Sequence, residues 1–290
     1  MANIKEIRTR IKSIQDIMKI TNAMYLISSS KLKRARKKLL ETEPYFEKLQ
    51  STIYDILLRT PHIHQVYFDR REEIGYEERI RGYLVITADK GLAGAYNHNV
   101  IRLAEKELAK GGNNYLFIIG QVGRHYFNGK NIMPDVEFPY TAQNPSMYRA
   151  REIAETIIGL FESRKLDEVY VIYTDMVTSF KEEPRVLRIL PLERHKISGR
   201  KAEYAHAEFY PSPEQVMDLL VPNYIKGLIY GALVEAYSSE QNSRMTAMEA
   251  ATTSAKEMLK EFGLLYNRAR QSAITQEITE IIGGSENTDR

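Results

Sequence analysis

The chain has 290 residues, 43% hydrophobic and 27% charged, enough for one or two ordinary globular domains. It holds no Cys, which excludes disulfides, thiolate zinc sites and thiol switches, and no apolar run approaches the ~18 residues of a membrane span. The formal net charge of +3 hides an asymmetry: seven Lys and four Arg face two carboxylates over residues 1–40, a net +9, whereas residues 223–290 carry −2.

Residues 4–39 place Ile4, Ile7, Ile11, Ile14, Met18, Thr21, Tyr25, Ser28, Leu32, Ala35 and Leu39 at alternating steps of three and four. That pattern predicts one side of a coiled coil. Pro44 should kink or briefly break the helix, because proline lacks the N–H and crowds the preceding turn; periodicity resumes at Leu49, Ile53 and Ile56 and ends at Thr60-Pro61. The basic first 30 residues lack a continuous apolar core and an A-x-A-like cleavage site, so they do not read as a secretory signal. Their charge suits nucleic acid, an acidic membrane surface, an acidic protein partner or simply a solvated face. Residues 60–81 are polar and read as a linker or exposed loop, and the His62/His64 pair falls short of a metal site.

The period then changes. Tyr83–Thr87 is a short continuous apolar run, the mark of a strand buried on both faces. A helix over 97–110, a strand over 115–119, a short helix over 122–128, a weak strand over 136–138, a helix over 147–165 and a strand over 168–175 follow. A β-hairpin from 177–180 and 185–190 comes next. Such alternation predicts a doubly wound, Rossmann-like α/β domain over 82–212. Residues 191–212 read as irregular or edge strand. From 213 the chain returns to helix, with a second stripe at Leu233, Tyr237, Arg244, Met248, Ala251, Ala255, Met258, Phe262, Leu265 and Ala269. Helices over 1–59 and 213–290 would pair as a long antiparallel coil, each spanning roughly 80–90 Å, with the sheet domain on the segment that joins them.

Chemistry-bearing motifs are scarce. Thr87–Asn97 connects a strand to a helix, where phosphate loops sit, but it matches neither G-x-x-x-x-G-K-[ST] nor G-x-G-x-x-G. Gly91 and Gly94 read more simply as a tight turn and a close helix–sheet approach. No Ser-His-Asp set, His cluster or paired-carboxylate motif stands out. The coil itself is built of small and polar residues, Thr21 and Ser28–Ser30 on one helix and Ala236, Ser239, Ser243, Thr246, Ala250 and Thr253 on the other. These bury little apolar area at about 25 cal/mol per Å², and they give a thin, closely packed hairpin.

Three stretches carry a family resemblance. Lys19–Met24 with Ser28–Leu32, Asp89–Gly94 with Asn97, and Ser239–Gln241, Arg244-Met245, Ala247-Met248, Ala250–Thr252, Tyr266–Gln271 and Ile274–Ile278 together resemble the γ subunit of F-type ATP synthases, in order and over essentially the whole chain. The family often has Lys in place of Asn22, Ala-Ala in place of Ser28-Ser29, Cys in place of Ala93 and an acidic residue in place of Tyr210. The resemblance implies a non-catalytic rotor shaft inside a ring of α and β subunits, with its globular base joined to ε and a membrane ring of c subunits. It implies no cofactor, no nucleic-acid partner, and peripheral attachment at the cytoplasmic face of a bacterial membrane. By the same resemblance Met24, Lys31, Arg244, Arg270, Gln271 and Thr275 would contact the α/β ring. If the terminal helices enter the ring, the sheet domain is left outside it, and its loop residues Arg200, Lys201, Tyr204 and Tyr210 would face ε and the c ring. Two readings from other classes stay open on the residues alone: a nucleic-acid-binding protein with a basic arm, disfavoured because aromatics do not interleave with the basic residues of 31–38, and a doubly wound enzyme with a dimerisation arm.

Overall fold

The structure, a computed structural model, describes residues 4–138, 141–178, 181–197 and 208–286. Its elements are α1 (Ile4–Arg59), β1 (Ile80–Ile86), α2 (Tyr96–Leu108), β2 (Asn113–Ile119), α3 (Gln121–Gly129), β3 (Val136–Glu137), α4 (Met147–Glu162), β4 (Glu168–Thr178), β5 (Lys181–Leu190) and α5 (Pro213–Glu286). The chain divides into two compact units, Ser29–Ser243 and Met1–Ser28 with Arg244–Arg290.

In Ser29–Ser243 the sheet order is β3-β2-β1-β4-β5. β1 pairs in parallel with β2 and β4, β2 in parallel with β3, and β5 antiparallel with β4. The two faces follow strand alternation. Leu84, Ile86, Phe117, Ile119 and Val171 join Ile53 and Ile56 of α1, Ile153, Ile157 and Phe161 of α4, and Met217, Val221 and Ile225 of α5 in one core. Tyr83, Val85, Leu116, Ile118 and Ile172 meet Val100, Ile101 and Ala104 of α2 and Phe127 of α3 in the other. A doubly wound sheet results, its larger core sealed by the two long helices.

The long helices run antiparallel here. Leu39, Phe46 and Gln50 meet Leu228, Gly227 and Tyr224 across a shared groove, and a Cβ on Gly227 would lie 2.2 Å from the Phe46 ring. The backbones approach that closely because α5 has hydrogen where another residue has carbon. Helix α1 runs unbroken through Pro44, so the expected break does not occur. Pro44 is exposed, and the buried Leu49, Ile53 and Ile56 anchor the following turns to the core. α5 begins on a capping arrangement: the Gln215 N–H donates to Ser212 Oγ at 3.3 Å, and Pro213 occupies the first turn, where its missing N–H costs nothing.

Two local expectations need correction. Residues 60–79 are no mere exposed loop, since Ile63, Tyr67, Phe68 and Arg71 are buried. Arg71 is 1% exposed. Its guanidinium donates to Asp167 at 2.7 Å and to the Phe161 carbonyl at 2.6 Å, and it stacks 4.3 Å over the Phe161 ring. Polar composition suggested solvent; a single arginine with fixed partners instead straps the segment to the sheet. The hairpin likewise starts earlier than expected, because β4 continues to Thr178 and pairs with β5 along most of its length.

In the unit of Met1–Ser28 with Arg244–Arg290, Ile7, Thr21 and Ser28 of α1 and Met248 and Ala255 of α5 are buried. Thr21 and Thr252 share a hydroxyl–hydroxyl bond of 2.7 Å across the seam. Thr21 Oγ1 also lies 3.1 Å from the Met18 carbonyl and Thr252 Oγ1 2.8 Å from the Met248 carbonyl; with one proton each, one hydroxyl donates across the seam while the other donates to its own preceding turn. Farther along, the seam passes through Leu259, Phe262, Tyr266, Ala269 and Ala273, whereas Met258 and Leu265 of the expected stripe are exposed.

Candidate functional site: the loop after the first strand and the faces of the long helices

The Thr87–Asn97 loop is built for structure. Thr87 Oγ1 donates to the Ile119 carbonyl at 2.9 Å and accepts from the Gly123 N–H at 3.0 Å. Asn97 Oδ1 accepts from the Ala88 N–H at 2.9 Å. The two oxygens of Asp89 accept from the Gln121 and Gln143 N–H groups at 3.2 and 3.3 Å. The polar side chains that mark this stretch are thus consumed in joining β1, α3 and the strand-to-helix connection before α4. Gly91 and Gly94 have no atom within 4 Å of an added Cβ, so neither serves a close approach; Gly94 supplies a positive φ of 54°. The close approach belongs to Gly120, where a Cβ would lie 2.2 Å from the Thr87 carbonyl oxygen. Among the described residues no group of His, Cys, Asp or Glu could hold a metal ion, and no helix is long and apolar enough to cross a membrane.

The contact residues implied by the resemblance fall into distinct environments. Met24 and Lys31 are half-buried on α1. Arg270, Gln271 and Thr275 are exposed on α5. Thr275 Oγ1 caps the Gln271 carbonyl at 3.0 Å. Arg270 forms no ion pair with Glu277, and its guanidinium has no partner among the described residues. Arg244 is different: it is 8% exposed, with only an edge available. Tyr210 is 91% exposed, one residue before a cis proline. Arg200, Lys201 and Tyr204 lie outside the described residues.

Sequence reasoning missed what Ser239-Glu240-Gln241 do. These residues and Asn242 are buried. Ser239 Oγ donates to the Thr174 carbonyl at 3.0 Å, Asn242 Nδ2 donates to Glu182 at 2.8 Å, and Ser243 Oγ bonds the other Glu182 oxygen. A polar stretch of helix therefore docks the β4–β5 hairpin. Its buried polar run without an apolar period was the signal available in the sequence.

A family model described as ATP synthase matches residues 3–287. The ATP synthase gamma chain of Acetivibrio thermocellus is 50% identical over 99% of both chains, and that of Ruminiclostridium cellulolyticum is 47% identical over 98% of both. The chain belongs to the ATP synthase gamma chain family. The gamma chain of Acetobacterium woodii, named sodium ion specific, is 35% identical over 98% of both chains. Among solved structures, the OSCP/F1/c-ring assembly of Euglena gracilis mitochondrial ATP synthase matches with a TM-score of 0.64 at 16% identity over 98% of this chain and 94% of that one. The Tetrahymena thermophila central stalk and c-ring structure matches with 0.60 at 23%, over 80% and 99%. Membership makes the chain a central-stalk gamma subunit of ATP synthase, a membrane-associated complex, and a non-catalytic one. The structural use of Asp89 and Asn97 agrees with that role.

Proposed function

We propose that the chain is the rotor that couples ion-driven rotation of a c ring to conformational change at catalytic sites on an α/β ring. We propose further that the exposed end of α5 is the face that meets the α/β ring. The observation that supports this face best is Arg270: an exposed guanidinium without a partner among the described residues, one residue before Gln271 and five before Thr275. A guanidinium presents a planar fork of five donors to carboxylates or carbonyls. Donors left unsatisfied by the described residues can be satisfied by a partner in one rotational position and released in the next. Met24 and Lys31 supply contacts from α1, and Arg244 contributes only through its exposed edge. Tyr210, with Arg200, Lys201 and Tyr204, serves the ε and c-ring end, at the cytoplasmic face of a bacterial membrane.

Arg270→Ala in the assembled complex tests the reading. It should reduce ATP-driven ion pumping and ATP synthesis while leaving the melting temperature of the isolated chain unchanged. Wild-type pumping and synthesis would remove Arg270 from the coupling surface. A photo-reactive group at Tyr210 should capture c or ε, and capture of α or β would reverse the proposed orientation. The isolated chain should hydrolyse no ATP above the level of a variant altered in Asp89–Gly94.

A further inference from the structure

We propose that a cleft in the Ser29–Ser243 unit, formed by α1, the connection before α4 and α5, binds an oligophosphate: a free chain of two or three phosphates or the same chain on a nucleotide. The cleft measures about 450 Å³, and Lys31, Arg34 and Lys38 line one wall. They lie at i, i+3 and i+7 of one helix, hence on one face and along roughly 10 Å of axis. Gln143 and Asn144 line the opposite wall, and no carboxylate is among the described residues that line the cleft.

The donors are in place and mostly unspent. Lys31 has no partner among the described residues although it is half-buried. Among the described residues Arg34 is steadied only by Ser30 Oγ at 3.2 Å and Lys38 only by Asn144 Oδ1 at 3.1 Å, and the Asn144 amide N–H groups are unused. The opposite wall is held in shape. The Gln143 N–H donates to Asp89, Arg149 donates to the Gln143 carbonyl at 2.8 Å, and Asn144 has a positive φ of 56°. Side-chain amides with unspent N–H groups facing a row of uncompensated cations make a site rich in donors and poor in anions. Its volume is in the range of small-molecule sites. Phosphate oxygens fit both donor types, since the guanidinium fork matches them bidentately and the ammonium acts as a point charge. A row of cations two helical turns long suits a chain of phosphates better than one isolated phosphate. The floor is apolar, with Ala35, Val234 and Tyr237, and offers a seat for a base or for nothing.

Calorimetric titration of the full chain tests this with sodium tripolyphosphate, ATP, AMP and a hexaglutamate peptide, at about 50 and about 500 mM salt. Saturable one-to-one binding of tripolyphosphate is expected, weakened at least about ten-fold by Lys31→Gln with Lys38→Gln. A control carrying Arg8→Gln, Lys12→Gln and Lys33→Gln, of at least equal charge loss but outside the cleft, should bind as wild type. Equal affinity for tripolyphosphate and ATP assigns the phosphate chain as the whole ligand, and tighter ATP assigns a nucleotide seated on the Tyr237 floor. The proposal is overturned by absence of saturable binding, by equal loss in the control, by AMP binding as tightly as ATP, or by equal binding of hexaglutamate. Circular dichroism and melting of each variant separate loss of a site from loss of fold, and Lys31→Arg with Lys38→Arg should restore binding.

Discussion

Two stretches of the same helix make opposite use of their side chains. Between Ile229 and Asn242, α5 is buried on nearly every side, yet much of what it buries is polar: Ser238, Ser239, Glu240, Gln241 and Asn242. Between Leu264 and Ile281 it is mostly exposed, yet it exposes Leu264, Leu265, Ile274, Ile278 and Ile281. Hydrophobicity alone would assign these roles the wrong way round. Ser239 and Asn242 are held there by bonds to the β4–β5 hairpin, as a buried polar group ordinarily requires, whereas Ser238 Oγ and Gln241 Nε2 find no hydrogen-bond partner among the described residues. The second stretch leaves apolar groups uncovered by the described residues, which is what the proposed contact face would require.

The comparison breaks most easily where packing in the buried half is tightest. Gly227→Ala would place a methyl 2.2 Å from the Phe46 ring, and that ring is itself packed against Tyr45 and Tyr230 at centroid distances of 5.2 and 6.5 Å. Overpacking of this kind costs about 1–3 kcal/mol, which outweighs the ~0.5–1 kcal/mol that alanine gains over glycine in a helix. Four residues on, Gly231 has nothing within 4 Å of an added Cβ. Gly231→Ala should therefore stabilise by about 0.5–1 kcal/mol. Thermal melting of the two variants should move in opposite directions, and pairing Gly227→Ala with Phe46→Leu should give less than the sum of the single losses.

Next in size is the polar docking itself. Glu182→Ala removes the carboxylate that accepts from Asn242 Nδ2 and bonds Ser243 Oγ. The expected loss is about 1–3 kcal/mol in melting or denaturant titration, because buried donors lose a charged partner. Glu182→Gln should recover part of it. An unchanged midpoint for Glu182→Ala would mean that the hairpin docks by shape and that the polar bonds are incidental.

These elements differ in how well the sequence discloses them. All eleven seam positions from Ile4 to Leu39 are buried or half-buried, because a coil imposes one period on a long stretch and leaves it nowhere else to point. The parallel strands β1 and β2 were equally legible, since a parallel core demands continuous apolar runs. The end of α5 was not: two apolar residues per turn leave two candidate stripes, and the seam follows Leu259, Phe262 and Tyr266 rather than Met258 and Leu265. Arg71 was hidden for another reason. A buried arginine is recognised by partners 90 or more residues away, Phe161 and Asp167, and no local pattern announces them. The exposed Arg270 came from resemblance alone; nothing in its spacing separates it from a solvated charge.

A smaller, pH-dependent effect sharpens the buried half. Burial raises the Glu235 carboxyl above its ordinary 4.5, and the Asp175 carboxylate adds to this, while Arg36 and a backbone hydrogen bond from Met176 oppose it. Arg185, 2.7 Å from Asp175, is the other cation in the group. The folded chain thus holds this proton more tightly than the unfolded one. Its contribution is complete below 4.5 and is lost as pH rises from there through the raised value. Glu235→Gln should melt higher than wild type at neutral pH, with the difference shrinking as pH falls toward 4.5. A variant that melts lower at neutral pH would mean that the ionised carboxylate is an asset to the fold, held by Arg36.

The smallest effect on the isolated chain is expected at the exposed end of α5, and there smallness is the point. Ile274 and Ile278 are 47% and 52% exposed and lie one turn apart on one face. Serine and isoleucine differ little in helix propensity. Ile274→Ser with Ile278→Ser should therefore shift the stability of the isolated chain by no more than about 0.5 kcal/mol, the usual range for surface changes. In the assembled complex the same pair should lower ion pumping, because the proposed contact face loses its apolar area beside Arg270. A loss above about 1 kcal/mol in the isolated chain would show that these side chains pack within the chain after all. The contrast between the two halves of α5 would then reduce to a difference in polarity, with no face set aside for a partner. Unchanged stability together with unchanged pumping would leave the contrast intact but move the contact elsewhere on the helix.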